Sequence, residues 1–117
     1  MCSTWILESN DFYSSYNKKL LDDYPDVQSE ELNPIEALKK IELGAFPDVV
    51  VLDTILPFID GKKLMSIIKK ANPKVEFIIM ADMEEHRTDM RNTHILPKPF
   101  FVSEFRKIFT AVKKKIK

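Results

Sequence analysis

The chain has 117 residues, 44% of them hydrophobic and 31% charged, and its 18 basic residues balance 18 acidic ones. This length predicts one domain over residues 1–117 with no room for a second, and the zero net charge lacks the basic surplus typical of direct nucleic-acid binding. Two glycines exclude a glycine-rich phosphate loop, and a single cysteine excludes an intrachain disulfide. No apolar run approaches the roughly 18 residues of a membrane span. We therefore expect a cytoplasmic protein without a membrane partner.

The first half of the chain alternates strand-like and helix-like segments. Residues 4–7 form an apolar run that predicts a buried strand, and a helical spacing of apolar residues follows over 12–24. Residues 26–32 are polar and predict a weak edge strand. The next helix has clear boundaries, because Asn33 can cap it, proline occupies its first position and Gly44 can end it.

The second half repeats the alternation. The unbroken apolar run Val49–Asp53 is typical of a central parallel strand covered on both faces. The segments predicted after it are a helix over 62–71, a strand over 75–80, a short helix over 84–91, a strand over 94–97 and an amphipathic helix over 102–115. This alternation predicts an α/β fold, a flavodoxin-like (βα)5 three-layer sandwich with a five-stranded parallel sheet in the order 2-1-3-4-5.

In such a sheet, ligands bind beyond the carboxyl ends of the strands near the point where the strand order reverses. Glu8, Asp53 and Lys98 follow the first, third and fifth predicted strands. Two neighbouring carboxylates favour a hard divalent cation such as Mg²⁺, and the lysine could neutralise a phosphoryl group on Asp53. Each residue alone has a simpler interpretation as a cap or a surface charge, so the hypothesis depends on their convergence.

Three segments resemble the receiver domains of bacterial two-component response regulators. They are residues 47–61, with an aspartate after an apolar strand followed by proline and Asp-Gly, the Lys98-Pro99-Phe100 signature, and residues 33–41. The resemblance implies a signalling module of a phosphorelay rather than an enzyme. Its partners would be a histidine kinase or phosphotransfer protein and a downstream protein, and a homodimer stays open.

The same resemblance implies roles for individual residues. Asp53 would accept the phosphoryl group and Lys98 would contact it. Glu8, Asp53 and the backbone carbonyl of Ile55 would hold Mg²⁺, with Ser9 as a further candidate ligand. We also expect a cis peptide bond between Lys98 and Pro99.

The chain departs from the family pattern at several positions. Ser9 replaces the second acid, Ala81 replaces a threonine or serine, and Ile95 replaces an aromatic residue. The loss of the acid at position 9 predicts weakened Mg²⁺ binding, and the departures together leave open a pseudo-receiver that binds its partner independently of phosphorylation. A hydrolase of the haloacid dehalogenase type is disfavoured, because Ile55 occupies the position of its second aspartate and leaves no general acid.

Overall fold

The computed structural model describes residues 2–53, 55–81 and 92–116 of the chain. In this part of the chain, five strands and four helices alternate as far as β4. The strands are β1 (Cys2–Leu7), β2 (Val27–Glu31), β3 (Val49–Asp53), β4 (Glu76–Ala81) and β5 (Thr93–Pro97). The helices are α1 (Asp11–Asp22), α2 (Pro34–Glu42), α3 (Gly61–Ala71) and α4 (Val102–Lys115). The short helix predicted over residues 84–91 lies outside the described residues.

All strand pairs are parallel, and the sheet has the order β2-β1-β3-β4-β5. The predicted α/β architecture and strand order are therefore confirmed. The polar segment β2 lies at one edge, as expected from its composition, and the apolar β3 lies at the centre. All four of its residues before Asp53 are buried, as a strand covered on both faces requires.

Two separate hydrophobic clusters cover the two faces of the sheet. Because successive side chains of a strand point to opposite faces, Val49 and Val51 pack with α1 and α4, whereas Val50 and Leu52 pack with α2 and α3. Helix α4 contributes Phe105, Phe109 and Val112 to the first cluster. The result is the expected three-layer arrangement of helices on both sides of one sheet.

Local capping fixes where α1 and α2 begin. The Asn10 side chain accepts the backbone N–H of Tyr13 at 3.2 Å. Asn33 caps α2 as the sequence predicts, and it forms a reciprocal capping box with Glu36 through bonds of 2.8 and 2.9 Å. Gly44 adopts φ +86° just beyond the second helix, a left-handed conformation that favours glycine at a helix end.

One position in α1 differs from the expected inner face. Phe12 was expected on the apolar stripe, but its side chain is 67% exposed. It lies in the first turn of α1, where its ring packs against Tyr13 and Tyr16 of the same helix and is not part of the core cluster on that face of the sheet.

Candidate functional site

The register of the sheet brings the ends of three strands together. Leu7 is opposite Leu52, Asp53 is opposite Met80, and Pro97 is opposite Ala81. The residues that end or follow β1, β3 and β5 therefore meet at the carboxyl edge, which is where a parallel sheet of this order binds ligands.

Lys98 connects the two acidic side chains at this edge. Its Nζ lies 2.7 Å from Glu8 Oε1 and 3.3 Å from Asp53 Oδ2. The side chains of Glu8, Asp53 and Lys98 are 1%, 12% and 14% exposed. Two carboxylates against one ammonium leave one unbalanced negative charge in a site that is largely shielded from water.

Glu8 is the most buried of the three. Its Oε2 accepts the backbone N–H of Asn10 at 3.0 Å, whereas its Oε1 has no hydrogen-bond partner among the described residues apart from the ion pair with Lys98. Buried carboxylate oxygens are normally paired. The ion pair with Lys98 meets this need for Oε1, so each oxygen of Glu8 has one partner.

Ser9 and Ile55 complete the set of residues expected at this edge. Ser9 Oγ donates to the Ile55 carbonyl at 3.2 Å and, more weakly, to Asp53 Oδ2 at 3.5 Å. The backbone N–H of Ile55 donates to Asp53 Oδ1 at 3.1 Å. All five residues singled out from the sequence thus lie together, while their chemical roles stay predictions.

The electrostatics of the site shift two pKa values. Burial raises the pKa of the Glu8 carboxyl, and the neighbouring Asp53 carboxylate raises it further, against the opposing effect of Lys98. For Lys98, burial alone would lower the pKa of the ammonium, but Glu8 and Asp53 together outweigh it and raise the pKa above its usual value. The lysine is therefore held in its charged form.

One residue of the site was missed by the sequence reasoning. The ring centroid of Tyr13 lies 4.5 Å from Lys98 Nζ, in cation–π geometry. Only its position near the start of a helix that follows Glu8 could have indicated it. The Lys98–Pro99 peptide bond is cis, as expected.

The oxygen donors of this edge fit Mg²⁺. Glu8, Asp53 and the Ile55 carbonyl offer hard oxygen ligands, and Mg²⁺ commonly takes only one or two carboxylates and keeps several waters. Within residues 2–53, 55–81 and 92–116, no group of three or more His, Cys, Asp or Glu side chains is placed to hold a metal ion. The donor set therefore carries less negative charge than a three-carboxylate site.

Four large apolar side chains are exposed on the segments that follow β1, β3 and β5, in the first turn of α1 and in the connections to α3 and α4. Phe12, Ile55, Phe58 and Phe101 are 67%, 63%, 77% and 77% exposed. We call these four residues the apolar rim. Phe58 also adopts φ 73°, a left-handed conformation that is unusual for an aromatic residue. None of the helices in the described part of the chain has the length and apolar character needed to cross a bilayer.

Comparison with solved structures shows which fold this is. The receiver domain of the Francisella response regulator 1452 superposes with a TM-score of 0.78 at 20% identity, covering 100% of both chains. A two component transcriptional regulator AraC from Clostridium phytofermentans ISDg gives 0.80 at 18% identity, covering 99% of this chain and 94% of that one. The signal receiver domain of a histidine kinase from Syntrophus aciditrophicus gives 0.77 at 18% identity, covering 100% and 93%.

At the level of sequence, the chain is similar to the sensor kinase CckA of Brucella abortus (strain 2308). The two are 33% identical over 82 residues, which cover 64% of this chain and 9% of that protein. No protein-family model matches the chain. The chain therefore has the fold of response regulator receiver domains, which confirms the sequence resemblance at the level of architecture.

Proposed function

We propose that this chain is a receiver domain of a phosphorelay, and that Asp53 accepts a phosphoryl group from a histidine kinase or phosphotransfer protein. The observation that carries the proposal is the contact of Lys98 with both Glu8 and Asp53 at the carboxyl edge of a receiver-type sheet. An aspartate that only starts a loop would not need a buried lysine and a second, almost fully buried carboxylate beside it.

The proposed reaction follows from the charges at Asp53. A carboxylate oxygen of Asp53 attacks the phosphorus of the donor, forming an acyl phosphate, and the bond from phosphorus to the donor breaks with its electrons leaving on the donor. Lys98 stays protonated and neutralises charge on the transferred phosphoryl oxygens. Ser9 and the Ile55 amide hold the carboxylate in place through their hydrogen bonds.

Mg²⁺ would be held by Glu8, Asp53 and the Ile55 carbonyl, with Ser9 as a neutral neighbour. When bound, it would offset the negative charge that accumulates during phosphoryl transfer. The position of these oxygen donors at the ends of β1 and β3 supports this ligand set. The loss of an acid at position 9 supports weaker binding than a three-carboxylate site would give.

The apolar rim supports a protein as the phosphoryl donor. Four large apolar side chains are exposed on the segments that follow β1, β3 and β5, the same strands whose ends carry Glu8, Asp53 and Lys98, and exposed apolar side chains of this size mark interaction sites when they form a patch. A partner that covers the rim would also exclude water from the reacting groups.

The test is labelling with radioactive acetyl phosphate in the presence of Mg²⁺. We expect a label that hydroxylamine removes, as an acyl phosphate requires, and that is lost in Asp53→Asn. Asp60→Asn is the matched control, because Asp60 caps α3 in the same connection and asparagine can also cap it. A label that persists in Asp53→Asn, or no label under conditions that label an intact receiver, would contradict the proposal. Partner binding unchanged by Asp53→Asn would instead favour the pseudo-receiver.

A further inference from the structure

The ammonium of Lys98 has three neighbours, and only two of them are acidic. Glu8 and Asp53 approach it at 2.7 and 3.3 Å, and the ring of Tyr13 faces it with the centroid at 4.5 Å. The face of an aromatic ring carries negative electrostatic potential, so it attracts a cation, and more strongly when the cation has lost water. The lysine side chain is only 14% exposed.

Backbone and packing contacts hold the Tyr13 ring where it is. Its N–H is bound by the capping Asn10 side chain at 3.2 Å, directly after Ser9. Its ring packs against Phe100 at 5.9 Å between centroids, with an interplanar angle of 37°, and against Phe12 edge-on at 5.3 Å. The ring is therefore fixed from one side by the helix start and from the other by the residue two positions after Lys98.

We infer that Tyr13 is a positioning residue that holds the Lys98 ammonium in place for a phosphoryl group on Asp53. The role toward a phosphoryl group rests on the proposed function, whereas the contact between the Lys98 ammonium and the Tyr13 ring does not. A lysine has a flexible four-carbon stem, and ordering it costs conformational entropy. The ring closes the side of the ammonium that the two carboxylates leave open.

The position of the Lys98 ammonium is especially important in this chain, because another expected contact to the phosphoryl group is missing. Position 81 carries alanine and offers no hydroxyl to a phosphoryl group. The affinity of the site for a phosphoryl group therefore depends more heavily on Lys98. Any contact that keeps the ammonium in place has a larger effect on phosphoryl affinity when fewer donors share the task.

Helix α1 offers a matched control. Tyr16 lies one turn after Tyr13, is also half-buried, and stacks on Phe100 at 5.6 Å. Among the described residues, the cations that face a tyrosine ring are Lys98 over Tyr13 and Lys113 over Tyr24, so Tyr16 has no such contact. Replacing Tyr16 removes similar aromatic packing without touching the ammonium.

The first measurement uses the protein without phosphate. Ring currents shift the protons of the Lys98 methylene next to Nζ upfield if the ammonium lies over the Tyr13 ring. In Tyr13→Leu we expect this NMR shift to disappear, whereas Tyr13→Phe and Tyr16→Leu should retain it. A methylene at its ordinary position in the unaltered protein would overturn the inference.

The second measurement is the affinity for beryllofluoride, a phosphoryl mimic, with Mg²⁺. Tyr13→Leu should weaken it by about five- to thirtyfold, the range between an exposed and a desolvated cation–π contact, and Tyr13→Phe should restore it. An equal loss in Tyr16→Leu would show a merely structural effect and overturn the inference. If the unaltered protein binds no beryllofluoride and takes no label from acetyl phosphate, the proposed function and the positioning role both fail. The ring-current shift still shows in that case whether the Lys98 ammonium lies over the Tyr13 ring.

Discussion

On the proposed function, replacing Ser9 by aspartate should strengthen the binding of Mg²⁺ beside Asp53. Ser9 Oγ lies 3.2 Å from the Ile55 carbonyl oxygen and 3.5 Å from Asp53 Oδ2, so a carboxylate at this position would face the same small volume as the other oxygen donors. The residue is exposed, which makes the dielectric constant of water the appropriate one.

The size of the effect follows from Coulomb's law. One extra unit charge about 4 Å from a doubly charged ion contributes about 2 kcal/mol in water. This energy corresponds to about 30-fold tighter binding, at roughly 1.4 kcal/mol per factor of ten. Without the ion, the added carboxylate would repel Asp53, so Ser9→Asp should also be less stable than the unaltered protein when Mg²⁺ is removed.

Isothermal titration with Mg²⁺ measures the dissociation constant, and the amide NMR signals of Glu8 and Ile55 show where the ion binds. Ser9→Asn is the control, because asparagine has nearly the shape of aspartate but no charge. Equal Mg²⁺ affinity in Ser9→Asp and the unaltered protein would refute the reasoning. A gain of the same size in Ser9→Asn would show that shape, and not charge, limits the site.

Three further outcomes are expected. Because the pKa of Lys98 is raised in the folded protein, the lysine stabilises the fold fully below its unfolded pKa of about 10.4, and this contribution is lost as the pH rises through the folded pKa. The melting temperature of Lys98→Met should therefore lie below that of the unaltered protein at pH 7. The difference between the two melting temperatures should disappear at alkaline pH, and a difference that stays constant would contradict this expectation. His94→Leu removes the ring that lies 2.9 Å from the Glu76 carboxylate, a side chain only 4% exposed. Among the described residues, this leaves Lys115 at 3.9 Å as the ion-pair partner of Glu76. In urea unfolding the substitution should cost about 1–3 kcal/mol, and adding Glu76→Gln should recover part of that loss; no loss would show that the pair is unimportant. Strand β5 carries Ile95 in place of the aromatic residue of the family pattern, so it has no ring that could change its orientation when a phosphoryl group binds. Beryllofluoride with Mg²⁺ should therefore leave the amide NMR signals of β5 nearly unchanged. Large shifts of these signals would show that β5 responds without such a ring.

The elements with strong local signals could be predicted to the residue. Val49–Asp53 and Val102–Lys115 have the predicted bounds, because a run of buried β-branched residues and a sustained amphipathic pattern each determine their own structure. Strand β1 begins at Cys2, two residues before its apolar core. Its start depends on partners distant in sequence, since the N–H groups of Cys2 and Ser3 donate to the Asp26 carbonyl and the Asp48 carboxylate.

The sequence predicts five residues of the candidate site, but neither Tyr13 nor the contacts among the side chains. The rule that ligands bind at strand ends selects Glu8, Asp53 and Lys98 by position alone, and the structure brings them together. The rule does not predict which carboxylate is more deeply buried, and on the proposed function this difference determines which of the two can reach a phosphoryl donor. Glu8 is almost inaccessible and Asp53 keeps 12% of its side-chain surface exposed.

On the proposed function, this difference in burial suits Glu8 and Asp53 to different tasks. A nucleophile must be reached by its donor, so the carboxylate that remains accessible is the one suited to accept a phosphoryl group. A second carboxylate buried beside it adds negative charge that a nearby cation must neutralise. Lys98 supplies one positive charge in the resting protein, and a divalent ion would supply more during transfer. The sequence shows two acids and one lysine, but only the packing of α1 against the sheet edge, with Tyr13 beneath the ammonium, shows that the lysine is held between them and does not extend into solvent.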